Sequence, residues 1–406
     1  MKIGEFTDSF IPVVDGVGRV VSAYCCELGK RDNEVYVISP MTDTGYRGKY
    51  PFEIVDFLSK ALPGGLPWKQ GIPNTDQHFQ KRMKDISFEI VHSHSPFITG
   101  LSALRYANKY NIPIVSTFHS KYYDDFLMFT HSKMVSDIGV KAVLEYYSHC
   151  DEVWAVSSST AAVLEDYGYS GHIEVMENGT DPLKPEECGD PDEIRRKYRI
   201  PERPVLLFVG QLNWKKNILL ILEACAILKS RGERCTLILA GMGPHEDEIK
   251  DKARDLGIKS DVIFTGHVES IKELDGIYRA ADIFTFPSLY DNAPMVVREA
   301  ARAGTPSVLA RDGSAAEIIE DGVNGRLCGN SAEDLARVIS EMLSDREKLH
   351  AMGEAARKTT PIPWEKIIDK VENRYRYLIE NHRPSKKFTE ERERFLRHLG
   401  EAEFQE

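Results

Sequence analysis

Short apolar runs with strand character alternate with helical stretches along most of this 406-residue chain, and this alternation limits its fold more than any other feature. Strands that are separated by helices form parallel sheets, which helices cover on both faces. Two series of runs therefore predict two such sheets. The first series is 2–6, 34–39, 52–57, 88–92, 112–118, 152–156 and 173–176. The second series is 205–209, 235–240, 262–265, 283–286, 306–309 and 325–328.

The two series predict two Rossmann-like domains that are joined by a Pro- and acid-rich segment. We interpret that segment, 181–203, as a linker with a short helix, and we place the domain boundary near Leu183. The first domain is then predicted to span 1–183 and the second 184–362. Ligands of doubly wound sheets bind outside the carboxyl ends of the strands, so the function is expected there.

Two further segments follow the second domain. A helix is predicted over 363–383 and is expected to return to the first domain. Its apolar stripe consists of Ile367, Val371, Tyr375 and Ile379. The charged tail, 384–406, is rich in Lys, Arg and Glu and is predicted to be a solvated helix or a frayed end without chemistry.

Composition and charge argue against several classes of function. The net charge of −11 leaves no basic excess to neutralise phosphates over a broad face, so nucleic acid is not an expected partner. The seven cysteines are odd in number and scattered, which favours buried thiols over disulfides or a zinc site. We find no signal segment and no run of about 20 apolar residues. A cytoplasmic location is expected, with peripheral contact at the inner face of the membrane left open.

The stretch 287–306 combines two acids with a predicted helix N-terminus. A turn holds Asp291, and a helix begins around Pro294 and ends before Gly304. Unpaired amides in the first turn of such a helix can bind a diphosphate. Asp291 and Glu299 can accept hydrogen bonds from hydroxyl groups on either side. A nucleotide sugar requires this combination of groups.

This stretch resembles the retaining glycosyltransferases of family 4, which carry two acids at this spacing, an Ala-rich helix and Gly-x-Pro. Eight further motifs extend the resemblance in the order that the family has. They are DSFIPVVDGVG (8–18), VHSHSPF (91–97), STFHS (116–120), VSSST (156–160), ENGTDP (177–182), VGQLNWKKN (209–217), AGMGP (240–244) and FTGHV (264–268). The resemblance implies the GT-B fold, with a cleft between two Rossmann-like domains. It implies hexosyl transfer from a nucleotide diphosphate sugar, most commonly a UDP sugar, to a lipid or saccharide hydroxyl.

The resemblance also assigns the donor site of the second domain. Lys216 matches the position that neutralises the donor diphosphate, Glu299 the residue that binds the ribose, and Asp291 the acid that contacts the sugar. The other donor-binding positions are Gln211, Gly241, Gly243, His267, Val268, Asn292, Ala293, Pro294 and Met295. Gln211 stands where the family usually has Arg, so a charged bidentate phosphate contact is lost. Asp291 stands where Glu is usual, which shortens its reach.

In the first domain, the resemblance assigns Gly16 to close approach of the donor phosphate and His119 to a contact with the donor sugar. His119 joins Lys216 and Asp291 as a predicted catalytic residue. His92 and His94 have a metal-like spacing, but no Asp or Cys is near them in the sequence, so we predict no metal site there. We expect these two histidines to shape the acceptor cleft.

The expected reaction uses neither a metal nor another cofactor. No Asp-x-Asp follows an apolar strand, so Lys216 and helix amides are expected to stabilise the leaving diphosphate. Retention commonly uses a covalent carboxylate intermediate, but no acid in this sequence is placed as a nucleophile. We therefore expect the family's front-face route, in which the acceptor attacks on the side that the diphosphate leaves.

The acceptor is the least specified part of the sequence. Segment 121–147 combines aromatic residues, Met and a few Lys, and it resembles the corresponding part of lipid glucosyltransferases that attach peripherally to membranes. It has few basic residues for a membrane-surface helix, so a core-facing helix with an acceptor-facing loop is the simpler interpretation. A soluble or polyprenyl-linked saccharide acceptor stays open. Two other classes fit the architecture: a noncatalytic nucleotide-sugar-binding protein, indicated by Gln211 and Asp291, and a nucleotide-sugar 2-epimerase.

Overall fold

The computed structural model describes residues 1–10, 15–40, 49–61 and 69–403, and the chain divides into two compact units. The first unit comprises Met1–Asn178 and Trp364–Glu406, and the second comprises Gly179–Pro363. Each unit contains one large parallel sheet, so the predicted fold class of two doubly wound α/β domains is confirmed. The motif at 8–18 lies partly outside the described residues, which omit 11–14.

The first unit contains nine described strands. They are β1 (Lys2–Phe6), β2 (Glu34–Ser39), β3 (Glu53–Asp56), β4 (Ser59–Ala61), β5 (Lys69–Gly71), β6 (Ile90–Ser93), β7 (Ile114–Phe118), β8 (Glu152–Ala155) and β9 (Ile173–Val175). Seven of them form a parallel sheet in the order β3-β2-β1-β6-β7-β8-β9. The strands β4 and β5 form a separate antiparallel pair, which we did not predict because each is only three residues long.

Helices of the first unit connect these strands. They are α1 (Gly16–Gly29), α2 (Gln77–Asp85), α3 (Ile98–Tyr110), α4 (Tyr122–Thr130), α5 (Lys133–Ser148) and α6 (Ser158–Asp166). Asp15, Asp76 and Ser157 each accept a hydrogen bond from a backbone amide in the first turn of the helix that follows. Such caps satisfy amides that have no partner within the helix, and they fix where each helix begins.

The second unit repeats the architecture with six parallel strands. They are β10 (Val205–Val209), β11 (Thr236–Ala240), β12 (Val262–Gly266), β13 (Ile283–Phe286), β14 (Ser307–Ala310) and β15 (Gly325–Cys328). Their order in the sheet is β12-β11-β10-β13-β14-β15. The helices are α7 (Pro191–Lys197), α8 (Ile218–Ser230), α9 (Glu246–Asp255), α10 (Ile271–Ala280), α11 (Met295–Ala303), α12 (Ala332–Leu343) and α13 (Arg346–Thr359). The helix α11 begins after Pro294 and ends at Gly304, whose φ of 82° is the left-handed conformation that glycine favours.

The segment 181–203, which we interpreted as a linker, is an integral part of the second unit. Its helix α7 packs against α10, and Ile194 and Ile200 are buried in the apolar core of the unit. The Pro and acid residues that suggested a linker serve a local purpose, because Asp190 caps α7 and Pro191 occupies its first position. The boundary between the units falls between Asn178 and Gly179, a few residues before the position near Leu183 where we placed it.

The chain returns to the first unit through α14 (Trp364–Asn381), which α15 (Lys386–Glu403) follows. The predicted stripe of α14 is buried at Ile367, Val371 and Tyr375 but only partly buried at Ile379. The segment 384–406 was predicted to be a solvated helix or a frayed end, and most side chains of α15 are indeed exposed or partly exposed, but Arg392 is not. Arg392 is 3% exposed, and it donates to the backbone oxygen of His149 at 2.8 Å and to the Asp151 carboxylate at 3.1 Å. The guanidinium group of Arg392 is therefore bound by protein groups, whereas the sequence alone suggests that it is solvated.

None of the helices in the described part of the chain is both long enough and apolar enough to cross a membrane. The cysteines are free thiols, as expected, and five of the seven are buried.

Candidate functional site

The predicted donor residues of the second unit lie on loops that follow its parallel strands. Gln211 and Lys216 follow β10, Gly241 and Gly243 follow β11, His267 and Val268 follow β12, and Asp291 follows β13. The strand order places β11 on one side of β10 and β13 on the other, so the direction of winding reverses between β10 and β13. Ligands of open α/β sheets bind at the carboxyl ends of strands at such a switch point.

Lys216 and Asp291 form an ion pair at this switch point. The other oxygen of Asp291 accepts a hydrogen bond from the Ser288 hydroxyl at 2.6 Å. Asn217 has a left-handed backbone conformation, with φ of 60°, and its side-chain amide donates to the backbone oxygen of Pro287 at 3.1 Å. The loops after β10 and β13 are therefore fastened to each other beside the ion pair.

A second lysine and an aromatic ring belong to the same group of residues. The ammonium groups of Lys215 and Lys216 lie 4.6 Å and 5.5 Å from the centroid of the Tyr290 ring. A ring face attracts cations, so Tyr290 holds two positive charges of the loop that follows β10. Gln211, where Arg is usual in the family that the motifs resemble, belongs to the same loop and is exposed. We did not identify Lys215 or Tyr290 from the sequence, because two adjacent lysines in a polar loop give no signal of a shared partner.

Glu299 lies on α11 and is only 6% exposed. Its carboxylate accepts a hydrogen bond from the hydroxyl of Tyr278, a fully buried residue of α10, at 3.0 Å. A carboxylate accepts several hydrogen bonds, so Glu299 can keep this contact and bind a further hydroxyl. The predicted residues Asn292, Ala293, Pro294 and Met295 lie immediately before and at the start of α11.

The glycines of the predicted site have different surroundings. A Cβ on Gly241 would lie 2.0 Å from the backbone oxygen of Gly210, and one on Gly243 would lie 2.3 Å from that of Leu212. Close approach of the loop after β11 to the loop after β10 therefore requires both glycines, independently of any ligand. Gly16 differs, because a Cβ there would meet no atom within 4 Å. Gly16 begins α1, with open space beside it.

The remaining second-unit positions are less informative. His267 is exposed, and Val268 packs partly against the apolar core. Both follow β12, whose last residue, Gly266, accepts a backbone hydrogen bond from Gly241 at 2.9 Å. The loops after β11 and β12 therefore lie side by side, as those after β10 and β13 do.

His119 of the first unit follows β7 and is partly exposed. Its Nε2 atom lies 3.0 Å from Nδ1 of His94, and Nε2 of His94 lies 2.9 Å from Oε2 of Glu5. The other oxygen of Glu5 accepts a hydrogen bond from the hydroxyl of Tyr375 on α14 at 3.0 Å. A continuous line of hydrogen-bonding groups therefore runs from the interior of the unit to His119.

His92 belongs to the same buried cluster. Its Nδ1 atom lies 2.5 Å from the Tyr375 hydroxyl, and its Nε2 atom lies 2.7 Å from the hydroxyl of Thr117. The prediction that His92 and His94 shape an acceptor cleft is wrong, because they are 0% and 2% exposed. His92 lies on β6 and His94 directly follows it, and β6 is an inner strand of the sheet, paired with β1 and β7 and in contact with α3.

Burial keeps this cluster uncharged. It raises the pKa of Glu5 to about 8 and lowers the pKa of His94 to about 3. Burial and the neighbouring His94 also lower the pKa of His119, and burial lowers that of His92. At neutral pH, Glu5 is therefore mainly a carboxylic acid beside neutral imidazoles.

Glu5, His92 and His94 also have the composition of a metal site, because one ligand atom from each lies within 4.8 Å of the others. The acid of this group was missed in the sequence because Glu5 lies on β1, far from the histidines along the chain. The register of the sheet pairs it with His92 across β1 and β6. Both ring nitrogens of each histidine already contact hydrogen-bonding groups, which satisfies the cluster without an ion.

Two protein-family models match this chain, one in each unit. The family model described as Glycosyltransferase Family 4 matches residues 14–183, and the one described as Glycosyl transferases group 1 matches residues 190–359. The chain belongs to glycosyltransferase family 4. It is thus a transferase with the GT-B fold, as the motifs predicted.

Three relatives illustrate the similarity. The alpha-monoglucosyldiacylglycerol synthase of Streptococcus pneumoniae is 27% identical over 357 residues, which are 84% of this chain and 78% of the relative. A GDP-mannose-dependent phosphatidylinositol monomannoside mannosyltransferase of Mycobacterium tuberculosis is 29% identical over 225 residues, which are 53% of this chain and 58% of that protein. The structure of Anabaena HepE in complex with UDP has a TM-score of 0.73 and 18% identity, covering 93% of this chain and 100% of that one.

Proposed function

We propose that this glycosyltransferase moves a hexosyl group from a UDP sugar to a lipid hydroxyl, with retention of configuration and without a metal ion. The observation that carries the proposal is the Lys216–Asp291 ion pair at the switch point of the second unit's sheet. A cation, two acids and a helix N-terminus are available on the loops and helix around it. This combination suits a diphosphate that carries a sugar on one side and a nucleoside on the other.

Lys216 is proposed to bind the diphosphate. An ammonium group has three hydrogens, so Lys216 can keep its contact with Asp291 and still donate to phosphate oxygens. The first-turn amides of α11 add partial positive charge at its N-terminus. The interaction of both groups with the diphosphate becomes stronger as negative charge accumulates on it in the transition state. They would therefore accelerate transfer without a metal ion.

Asp291 and Glu299 are proposed to bind hydroxyl groups on the two sides of the diphosphate. Asp291 is partly exposed and lies on a loop, so it suits contact with the donor sugar. Glu299, on α11, accepts a hydrogen bond from Tyr278 of α10, and it suits contact with the ribose. His119 of the first unit is proposed to contact the donor sugar, as its match to the family motif implies. Lys215 supplies part of the charge that Gln211 lacks.

Uracil is the proposed donor base because the Anabaena neighbour was solved with UDP. The Mycobacterium relative is named for GDP-mannose, which makes a guanine nucleotide the second candidate.

A lipid is the proposed acceptor because α4 and α5 expose an apolar patch. The patch consists of Met128, Phe129, Met134, Val135 and Ile138, which are 36%, 51%, 69%, 40% and 60% exposed. The simpler interpretation of 121–147 as core-facing holds for the end of α5, where Tyr147 is buried, but not for this patch. Exposed apolar patches commonly mark contact with a membrane or another protein. The Streptococcus relative is named for a glucosylated diacylglycerol, which indicates a lipid hydroxyl.

The test is a transfer assay in the presence of EDTA. Purified protein is mixed with UDP-glucose and phospholipid vesicles that contain or lack diacylglycerol, and free UDP and glycolipid are measured. UDP release that depends on diacylglycerol, with an α-linked product, supports the proposal. Release that requires a saccharide instead would move the acceptor to that class. Donor binding without release, or an epimerised sugar, would favour the binding protein or the 2-epimerase.

A further inference from the structure

The line of hydrogen-bonding groups that ends at His119 begins at an acid buried inside the first unit. Glu5 is 0% exposed, and its oxygens contact Tyr375 on one side and His94 on the other. Aromatic rings surround the line: Tyr24 packs edge-on against His94 at 5.8 Å between centroids, and Trp154 stacks on Tyr375 at 5.6 Å. A buried ionisable group destabilises a fold relative to an apolar one of similar size. Packing alone therefore does not account for an acid at this position.

The contacts allow two arrangements of protons when every member is neutral. In the first, Tyr375 donates to the carbonyl oxygen of Glu5, and the acid O–H of Glu5 donates to Nε2 of His94. His94 then carries its proton on Nδ1 and donates it to Nε2 of His119, which leaves the proton of His119 on Nδ1. In the second, every hydrogen bond of the line is reversed: the acid O–H of Glu5 donates to the Tyr375 hydroxyl, and Nε2 of His94 donates to the carbonyl oxygen of Glu5. His119 then carries its proton on Nε2 and donates it to Nδ1 of His94.

The first arrangement pairs the strongest acid of the line with a basic nitrogen. A carboxylic acid is a better donor than an imidazole N–H, and an imidazole nitrogen is a better acceptor than the oxygen of a neutral acid. The distance of 2.9 Å between Glu5 and His94 suits this pairing. Tyr375 reinforces it, because its hydroxyl can donate to the carbonyl oxygen while accepting from Nδ1 of His92 at 2.5 Å.

We propose that Glu5 is a positioning residue whose carboxylic acid orders the protons of His94 and His119, so that His119 offers an Nδ1 proton to an oxygen of the donor sugar. The proposal rests on the sugar contact of His119 in the proposed function. Glu5 itself contacts neither donor nor acceptor. It acts through His94, and it sets both the tautomer and the ring orientation of His119.

The direct test measures tautomers and needs no substrate. Protein labelled with ¹⁵N at histidine is studied at neutral pH by two-bond proton–nitrogen correlation, with His94→Gln and His119→Gln used to assign the signals. We expect the Nδ1–H tautomer, the less common one in free histidine, at both His94 and His119. Glu5→Gln should keep it, because the amide donates to His94 and accepts from Tyr375 as the neutral acid does. Glu5→Leu should shift His119 toward the Nε2–H form.

Activity gives the second readout. Glu5→Leu should lower kcat with UDP-glucose by about tenfold to a hundredfold, as for a misplaced reacting group, and leave the affinity for UDP alone unchanged. Glu5→Gln should recover most of kcat. The matched control is Glu152→Gln, which alters another buried acid of the sheet that pairs with Arg374 and Trp154 instead of histidines. It should change stability without changing the His119 tautomer.

Two results would overturn the proposal: an Nε2–H tautomer at His119 in the unaltered protein, or an unchanged His119 tautomer in Glu5→Leu. If Glu5→Leu does not fold, the spectra of the unaltered protein and of Glu5→Gln still decide. Failure of the proposed function is distinguishable, because the unaltered protein would then release no UDP whatever tautomer it shows.

Discussion

The two units contain polar clusters that differ in charge and in exposure to solvent. At the switch point of the second unit, Lys216 and Asp291 are both charged, and each side chain is 17% exposed. In the first unit, Glu5, His92 and His94 are at most 2% exposed, and burial favours their neutral forms. Charges kept near water can exchange their partners for those of a charged ligand. Neutral groups in a dry interior keep their partners and can fix an orientation instead.

The position of each cluster along its strands explains this difference. Lys216 and Asp291 lie on loops beyond the ends of β10 and β13, where backbone and side chains meet solvent. Glu5 and His92 lie within β1 and β6, and the register places them side by side. A strand interior therefore supplies rigidity, whereas a strand end supplies access.

The largest effect is expected at the ion pair. Lys216→Ala should lower transfer by on the order of a hundredfold or more, because it removes charge that stabilises the leaving diphosphate. UDP release from UDP-glucose measures this effect. The control is Lys229→Ala, which breaks a different ion pair of the same unit, with Asp261, and should leave transfer unchanged. Full activity in Lys216→Ala would mean that the charge at the switch point serves only the fold.

Stability should depend on pH through Glu5. Its pKa is raised from 4.5 to about 8, so between these values the folded protein holds a proton that the unfolded chain releases. The contribution of Glu5 to the free energy of unfolding is fully present below pH 4.5. It is lost as pH rises from 4.5 to about 8, by about 1.4 kcal/mol per pH unit. Gln at position 5 does not titrate, so the free energy of unfolding of Glu5→Gln should increase relative to that of the unaltered protein, by the same amount per pH unit.

Urea unfolding from about pH 6 to about pH 8 measures this difference. Both proteins share the titratable groups that face Glu5, so the titration of these groups largely cancels in the comparison. They are His92, His94, Tyr375, Tyr24 and Cys25. A difference that does not change with pH would contradict the assignment of a neutral acid inside the first unit.

The apolar patch of α4 and α5 should govern access to a lipid acceptor. The double variant Met134→Glu and Ile138→Glu should bind vesicles about tenfold more weakly, because burial of two large side chains is lost and charge is added. Cosedimentation with vesicles measures this, and transfer to diacylglycerol should fall in parallel. Ile271→Glu changes an apolar residue of the second unit that is 56% exposed, and this variant should bind vesicles normally. Equal binding by all variants would assign the patch to another partner.

Lys215 should contribute the smallest effect. Lys215→Ala should weaken UDP binding by about threefold to fivefold, in keeping with one partly exposed charge near a phosphate. Calorimetric titration measures the change. Gln211→Arg restores the residue that is usual in the family. Added to Lys215→Ala, it should restore the affinity for UDP that Lys215→Ala loses. No change in either variant would show that Lys216 and the helix amides carry the diphosphate alone.

Most of the fold could be predicted from the sequence because both sheets are buried on two faces. The bounds of β1, β2, β10, β13 and β15 agree with the predicted runs. Of these, β10 and β13 lie in the middle of their sheet and are almost wholly apolar, which makes such strands easy to find. The failures have physical causes. The burial of Arg392 on α15 could not be predicted, because its partners lie far away in the sequence.

The candidate site could be predicted only where a local motif carries it. Lys216, Asp291 and Glu299 belong to such motifs, and the fold brings Lys216 and Asp291 into contact. Glu5, Tyr290 and Tyr375 contribute through tertiary contacts that no spacing in the sequence reveals. His92 and His94 were recognised as a pair, but their burial and their acidic partner depend on the sheet register.

The central claim is that the switch point of the second unit binds a nucleotide diphosphate sugar. Its most direct test is calorimetric titration of the protein with UDP, GDP and ADP without metal, repeated with Glu299→Ala. We predict micromolar binding of UDP that the variant loses by about tenfold or more, because a charged hydrogen bond to the ribose is removed. Binding of none of the three nucleotides, or equal binding by the variant, would contradict the claim.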